Sequence, residues 1–154
     1  TAPNPGWELA FATGDKIRLL LCNNSPTNLL YVDTDNAFAS TTAWYHIVVT
    51  YDGTSLPTGI KIYVDNVLQA HTTVSNTLTA SILNNYPVLL GRRESSAQTY
   101  IFGGLIDEAA IWNRVLTAAE VAELWNGGAG IEIGVSTVRL HRMMNAGSIF
   151  PQMI

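Results

Sequence analysis

Two adjacent carboxylates, Asp107 and Glu108, stand in the run Gly103-Gly104-Leu105-Ile106-Asp107-Glu108-Ala109-Ala110. Paired acids are the equipment of glycoside hydrolysis, which with retention needs two carboxyl groups about 5 to 5.5 Å apart. On a strand, though, neighbouring side chains point to opposite faces. The positions two away from Asp107 are Leu105 and Ala109, and those two away from Glu108 are Ile106 and Ala110. The spacing therefore predicts no catalytic couple and no enzyme. Nucleophilic chemistry is no better supplied. There is no Gly-x-Ser-x-Gly, Cys22 has no evident partner, and His46, His71 and His141 lie in different segments. No His or Cys pair has zinc spacing. His46 alternates with Trp44 and Val48, which reads as a hydrogen-bonded structural imidazole.

Two non-catalytic chemistries remain. Asp33-Thr34-Asp35-Asn36 gathers several oxygens over a short span and could hold Ca²⁺, although Ala37 and Phe38 rule out an EF-hand loop. The competing reading is an exposed turn whose Asp and Asn satisfy their own backbone. A saccharide needs an exposed aromatic platform beside amide and charged partners. The candidates for that role are Tyr31, Tyr63 and Tyr100, with Asn24 and Arg92 at loops.

The chain that must position these groups has 154 residues, enough for one domain with its own core. With 47% hydrophobic and 13% charged residues it reads as globular. A net charge of -4 and eight scattered Lys and Arg residues argue against a nucleic-acid partner. No apolar run is long enough for membrane insertion, and TAPNPGW has no signal-peptide pattern. Cys22, the lone cysteine, reads as a small buried hydrophobe.

Period-two alternation dominates. Trp7 to Ala12 and Lys16 to Leu21 predict a hairpin, with Trp7, Leu9 and Phe11 on one face and Ile17, Leu19 and Leu21 on one face. Strands are also expected at Leu29 to Val32, Ile60 to Val64, Thr77 to Ile82, Pro87 to Leu90 and Tyr100 to Trp112. Trp44 to Tyr51 is apolar on both faces, as a central strand covered on both sides would be. A tight hairpin should turn at Asp65-Asn66. One helix is signalled. Thr117-Ala118-Ala119-Glu120 is a capping box, Leu116 and Val121 occupy the staple positions, Gly127 offers a left-handed stop, and Val121, Leu124 and Trp125 share a face. Many short strands and one short helix predict an all-β, two-sheet antiparallel sandwich of the jelly-roll type.

Three motifs in order, WYHIVVTYDG (44–53), IKIYVDN (60–66) and FGGLIDEAAIWNRVLTAAEVAELWNGG (102–128), resemble the laminin-G-like and pentraxin-like jelly rolls of the concanavalin A-like lectin/glucanase superfamily. The resemblance implies two stacked antiparallel sheets, a domain over residues 1–130 and a C-terminal extension over 131–154. It also implies Asp107 as a calcium ligand or a loop tie, by its place in the third motif. The glucanases of the superfamily carry Glu-x-Asp-x-x-Glu or Glu-x-Asp-x-Glu, which this chain lacks. Family members usually have a strand upstream of the position of Trp7, so an edge is expected to need filling. Val135 to Leu140 of the tail, or a neighbouring subunit, would fill it. RMMNAGSIFPQMI resembles tails of laminin-G-like modules in phage and environmental virus structural proteins. The expected role is thus a carbohydrate-binding or adhesion module at a virion surface or outside the cell. Its partners would be glycans or surface proteins and other subunits of a homo-oligomer, with Ca²⁺ as the candidate cofactor. The alternatives are a structural decoration module completed by partner strands and, third, a glycoside hydrolase.

Overall fold

The computed structural model describes residues 5–93 and 100–132. Its first element pair is a hairpin, β1 (Gly6–Ala12) and β2 (Lys16–Asn24), followed by β3 (Asn28–Thr34). Then come β4 (Ile47–Tyr51), β5 (Ile60–Val64), β6 (Val67–Gln69), β7 (His71–Asn76) and one α-helix, α1 (Ala118–Trp125). All pairings are antiparallel and give two sheets, β1-β2-β3-β7 and β4-β5-β6. The β1–β2 turn needs left-handed backbone at Gly14 (φ 77) and Asp15 (φ 56), residues that tolerate it. At Asp65-Asn66 both residues have positive φ, 50 and 65, as a two-residue hairpin turn requires.

Register aligns the apolar faces. Leu21 lies opposite both Trp7 and Leu30, and Leu19 opposite both Leu9 and Val32, so these side chains share one face of the larger sheet. Ile17, Leu19, Leu21, Leu30 and Val32 form a common core with Ile60, Ile62 and Val64 of the smaller sheet. The opposite face of the smaller sheet presents Val48 and Tyr63 to Leu116, Val121 and Leu124 around α1. β4 is therefore covered on both sides, as its composition predicts. It is nevertheless an edge strand, because β5 occupies the centre of its sheet, and it begins at Ile47, leaving Trp44 exposed.

Three expected strands do not form. Residues 77–82, 87–90 and 103–112 carry no ladder, and Tyr100 to Trp112 contributes only the bridge Arg92↔Ile101. Alternation is a local property, whereas a strand needs a partner edge. The expected strand Val135 to Leu140 lies outside the described residues.

Helix α1 starts as its sequence requires. Thr117 Oγ1 accepts the Glu120 N–H at 3.3 Å and Glu120 Oε2 accepts the Thr117 N–H at 2.8 Å. Asn126 (φ 49) and Gly127 (φ 65) both turn left-handed at the end. Arg114 donates to Glu120 at 2.6 and 2.9 Å. That guanidinium first, then the Thr117 N–H, holds the Glu120 carboxyl down at about 2. Because the folded pKa lies below the unfolded one, the contribution is full above about pH 4.5 and fades as pH falls toward 2. Glu120→Ala is expected to cost about 1 kcal/mol at pH 7, the usual worth of a cap. Melting curves of both proteins between pH 7 and pH 2 should converge at the acid end, and a gap independent of pH would refute the assignment.

Candidate functional site

The outer face of the larger sheet carries a chain of polar contacts built by register. Ala10, Arg18, Asp33 and Thr72 lie opposite one another across four strands, and Glu8, Leu20, Tyr31 and Ser75 do the same. Arg18 donates to both Asp33 oxygens, Nε to Oδ1 at 2.6 Å and Nη2 to Oδ2 at 2.7 Å. The same guanidinium sits 4.6 Å over the Tyr31 ring. Its pKa is raised, chiefly by the hydrogen bond to the Asp33 carboxylate. Glu8 pairs with Arg93 at 3.2 Å, and Arg93 lies 5.4 Å over the Tyr100 ring. Two arginine-on-tyrosine stacks and two carboxylates thus share one side of the sheet. Planar guanidinium groups suit both partners at once, forking to a carboxylate while stacking on a ring.

This arrangement gathers Tyr31, Tyr100 and Asp33 but not the other candidates. Tyr63 is the plain correction: it is only 6% exposed and packs with Val48 beneath α1, so its ring is not a platform. Its outward parity was legible, but the helix that covers it was not placed by that parity. Asn24 is exposed at the end of β2, its carbonyl accepting the Thr27 N–H at 2.9 Å. Arg92 pairs its backbone with Ile101, and it is Arg93 whose guanidinium joins the array. Arg18 and Glu8 were missed altogether. Their signal was present, since each interrupts an apolar alternation and so must face away from the core.

The carboxylates considered for calcium are engaged separately. Both Asp33 oxygens receive Arg18, Asp35 Oδ1 accepts the Thr72 hydroxyl at 2.7 Å, and Asp107 Oδ1 accepts the Glu108 N–H at 2.9 Å. Among the described residues, no three His, Cys, Asp or Glu side chains come together in a metal-ligating group. The turn reading of 33–36 is not met: Asp33 and Thr34 end strand β3, and the side chains of Asp33, Asp35 and Asn36 bond Arg18, Thr72 and Gln69 and not their own backbone.

Asp107 and Glu108 need a different account from the strand alternation expected of them. Glu108 is left-handed (φ 51), and both acids line one open concavity of about 460 Å³ with Leu90, Gly91, Phe102, Gly104, Ile106 and Ala109. Opposite faces therefore do not separate them. What weighs against a catalytic pair is exposure: a general acid is tuned by burial, and both residues are open to solvent. His46 is partly buried, and that burial lowers its pKa against the opposing Asp65 charge. Its backbone N–H donates to Asp65 Oδ1 at 2.9 Å, while its buried ring Nδ1 has no hydrogen-bond partner. Cys22 is buried as expected, which raises its thiol pKa.

No helix among the described residues is long and apolar enough to cross a membrane. No curated protein and no solved structure matches the chain. A family model does, Laminin G 3 of the concanavalin A-like lectin/glucanases superfamily, over residues 1–122. Laminin-G-like domains are typically extracellular and non-catalytic, and the family suggests carbohydrate binding or adhesion. With that match spanning both sheets and the start of the helix, the chain belongs to the laminin-G-like family of the concanavalin A-like superfamily.

Proposed function

We propose that this domain is a non-catalytic carbohydrate-binding or adhesion module of an extracellular or virion surface protein, and that the outer face of its larger sheet is the contact surface. The observation that carries the reading is the Tyr31–Arg18–Asp33 and Tyr100–Arg93–Glu8 array. The smaller sheet is covered by the core on one face and by α1 on the other, which leaves the larger sheet to offer an ordered aromatic and polar surface. Saccharides bind by stacking apolar ring faces on aromatics while their hydroxyls bond fixed polar groups. Two arginines against two carboxylates leave the array neutral, which suits neutral sugars better than sulfated ones. The tail resemblance to phage modules supports the virion setting.

A glycan array, run with and without Ca²⁺, tests this. Binding to neutral saccharides is expected, with Tyr100→Ala reducing apparent affinity about tenfold, in line with the loss of one aromatic contact. Tyr86→Ala, exposed outside the array, should change nothing. A folded sample that binds no saccharide would leave the reading without support. The arm without Ca²⁺ reads separately whether binding depends on the ion expected at Asp33, Asp35 or Asp107. The second reading, a decoration module completed by a partner strand, draws on the exposed apolar residues of β1 and expects mass photometry to find an oligomer.

A further inference from the structure

One asparagine in the chain is followed by glycine, Asn126 before Gly127. That pair carries a chemistry of its own. A backbone amide nitrogen can attack the side-chain carbonyl of the asparagine before it, and the attack is fastest when the next residue is glycine, because no Cβ shields the nitrogen. Every other asparagine precedes a residue with a side chain.

The pair closes the C-terminal end of α1. Asn126 takes left-handed backbone, φ 49 and ψ 44, and its N–H donates to the Ala122 carbonyl. Its side-chain Nδ2 donates to the Gly130 carbonyl at 2.9 Å, while the Gly130 N–H donates to the Trp125 carbonyl at 3.1 Å. These bonds fold residues 125–130 into a turn, after which Ile131 packs on the cluster of Val48, Tyr63, Val121 and Leu124. The same turn sets the reaction geometry. Closure of a succinimide ring needs the Gly127 nitrogen eclipsed with Cβ about the Cα–C bond of Asn126. A ψ of 44 instead turns that nitrogen toward the residue's own amide and away from Cβ. Ring closure therefore requires ψ to leave the left-handed well, which breaks the turn to Gly130 and opens the helix end. Residues 126–129 are exposed, so water reaches the site once the turn opens.

We propose that Asn126 is a self-modification site latched by the cap of α1: its side-chain amide is lost by deamidation only when the helix end opens, and the product cannot rebuild the same cap. In the open state the Gly127 nitrogen bonds to Asn126 Cγ, the Cγ–Nδ2 bond breaks, and Nδ2 leaves as ammonia with the proton given up by Gly127. Water then opens the imide at one carbonyl or the other and leaves aspartate or isoaspartate at 126. The net exchange is one water in and one ammonia out. Either product lacks the donor that met the Gly130 carbonyl, and it sets a carboxylate near the negative end of the helix, where charge of this sign is unfavourable. Isoaspartate also lengthens the main chain by one carbon. The modification is one-way, and each modified copy holds Ile131 and the last turn of α1 less firmly.

Peptide mapping by mass spectrometry tests the latch, with residue 126 followed over time at neutral pH in the intact chain, folded in buffer and unfolded in urea. Because the reaction passes through the open state, the folded chain should convert at least about tenfold more slowly than the unfolded one. Leu124→Ala, which removes a buried contact of the last turn, should speed folded conversion about tenfold and leave the unfolded rate unchanged. If Leu124→Ala does not fold, Thr117→Ala at the exposed N-cap gives the same test, with an increase of about threefold. Asn66, also left-handed but followed by Val67, should stay intact, and conversion there at a matching rate would overturn the part given to Gly127. No conversion in urea, equal rates in the two states, or a folded rate that neither variant changes would overturn the latch. Asn126→Asp, one of the products, should speed hydrogen exchange of the Gly130 amide about tenfold. Exchange as slow as in the wild type would overturn the claim that the product loses the cap.

Discussion

Replacing Ile62 with alanine is expected to lower the unfolding free energy by about 2–5 kcal/mol, the range for deleting a fully buried isoleucine side chain. Ile62 is completely buried on β5, the central strand of the smaller sheet. It is bonded in register to Val49 on one side and Gln69 on the other, and it belongs to the core shared with Leu19, Leu30 and Val32 across the sandwich. A backbone pinned by two ladders cannot collapse into the vacated volume. The loss of transfer energy and the cavity penalty should therefore both be felt. Against a total stability of about 5–15 kcal/mol, this is a large fraction. Urea denaturation should show an earlier midpoint at unchanged slope. Leu68→Ala, one strand away but 55% exposed, should stay within about 0.5 kcal/mol of wild type. If Ile62→Ala were equally mild, the two sheets would not share the core described above.

Alternation told which face each residue takes but not what covers that face. For Ile17, Leu19, Leu21, Leu30, Val32 and Ile62, the covering layer is the opposite sheet, so the face assignment and the burial agree. Trp7, Leu9 and Phe11 obey the same pattern in the same register, yet among the described residues they are 47%, 42% and 41% exposed, Phe102 stacking on Phe11 alone. Tyr63 shows the reverse, because a helix sixty residues later in the chain, roughly, seals a face that reads as outward. The capping box was fully legible because its partners lie within one turn. Asp33 was legible only as a carboxylate. Its partner Arg18 is fixed by the β2–β3 register, which includes a shift between Cys22 and Asn24 that no local pattern announces. Asp107 and Glu108 differ again, since their relation depended on a strand that the segment does not form.

The second large effect concerns Arg18. Arg18→Met keeps the aliphatic stem against the sheet but removes the fork from Asp33, whose side chain is only 14% exposed. A carboxylate left there without its donors pays a desolvation cost, and breaking a charged pair from one side costs more than the pair is worth. Arg18 itself is 33% exposed, so solvent screens part of the interaction. We therefore expect a loss of about 1–3 kcal/mol for Arg18→Met. Asp33→Asn in the Arg18→Met background should recover part of it, because the orphaned charge is gone. A double-mutant cycle should give a coupling of about 1–2 kcal/mol, and a value near zero would make the contact a surface ornament. The same variant separates stability from recognition. Arg18→Met also removes the fixed guanidinium that offers donors to saccharide hydroxyls beside Tyr31, so saccharide binding per folded molecule should fall if the outer face is the contact surface. Undiminished binding by a destabilised but folded Arg18→Met protein would mean that the array holds the sheet together and that the ligand is met elsewhere.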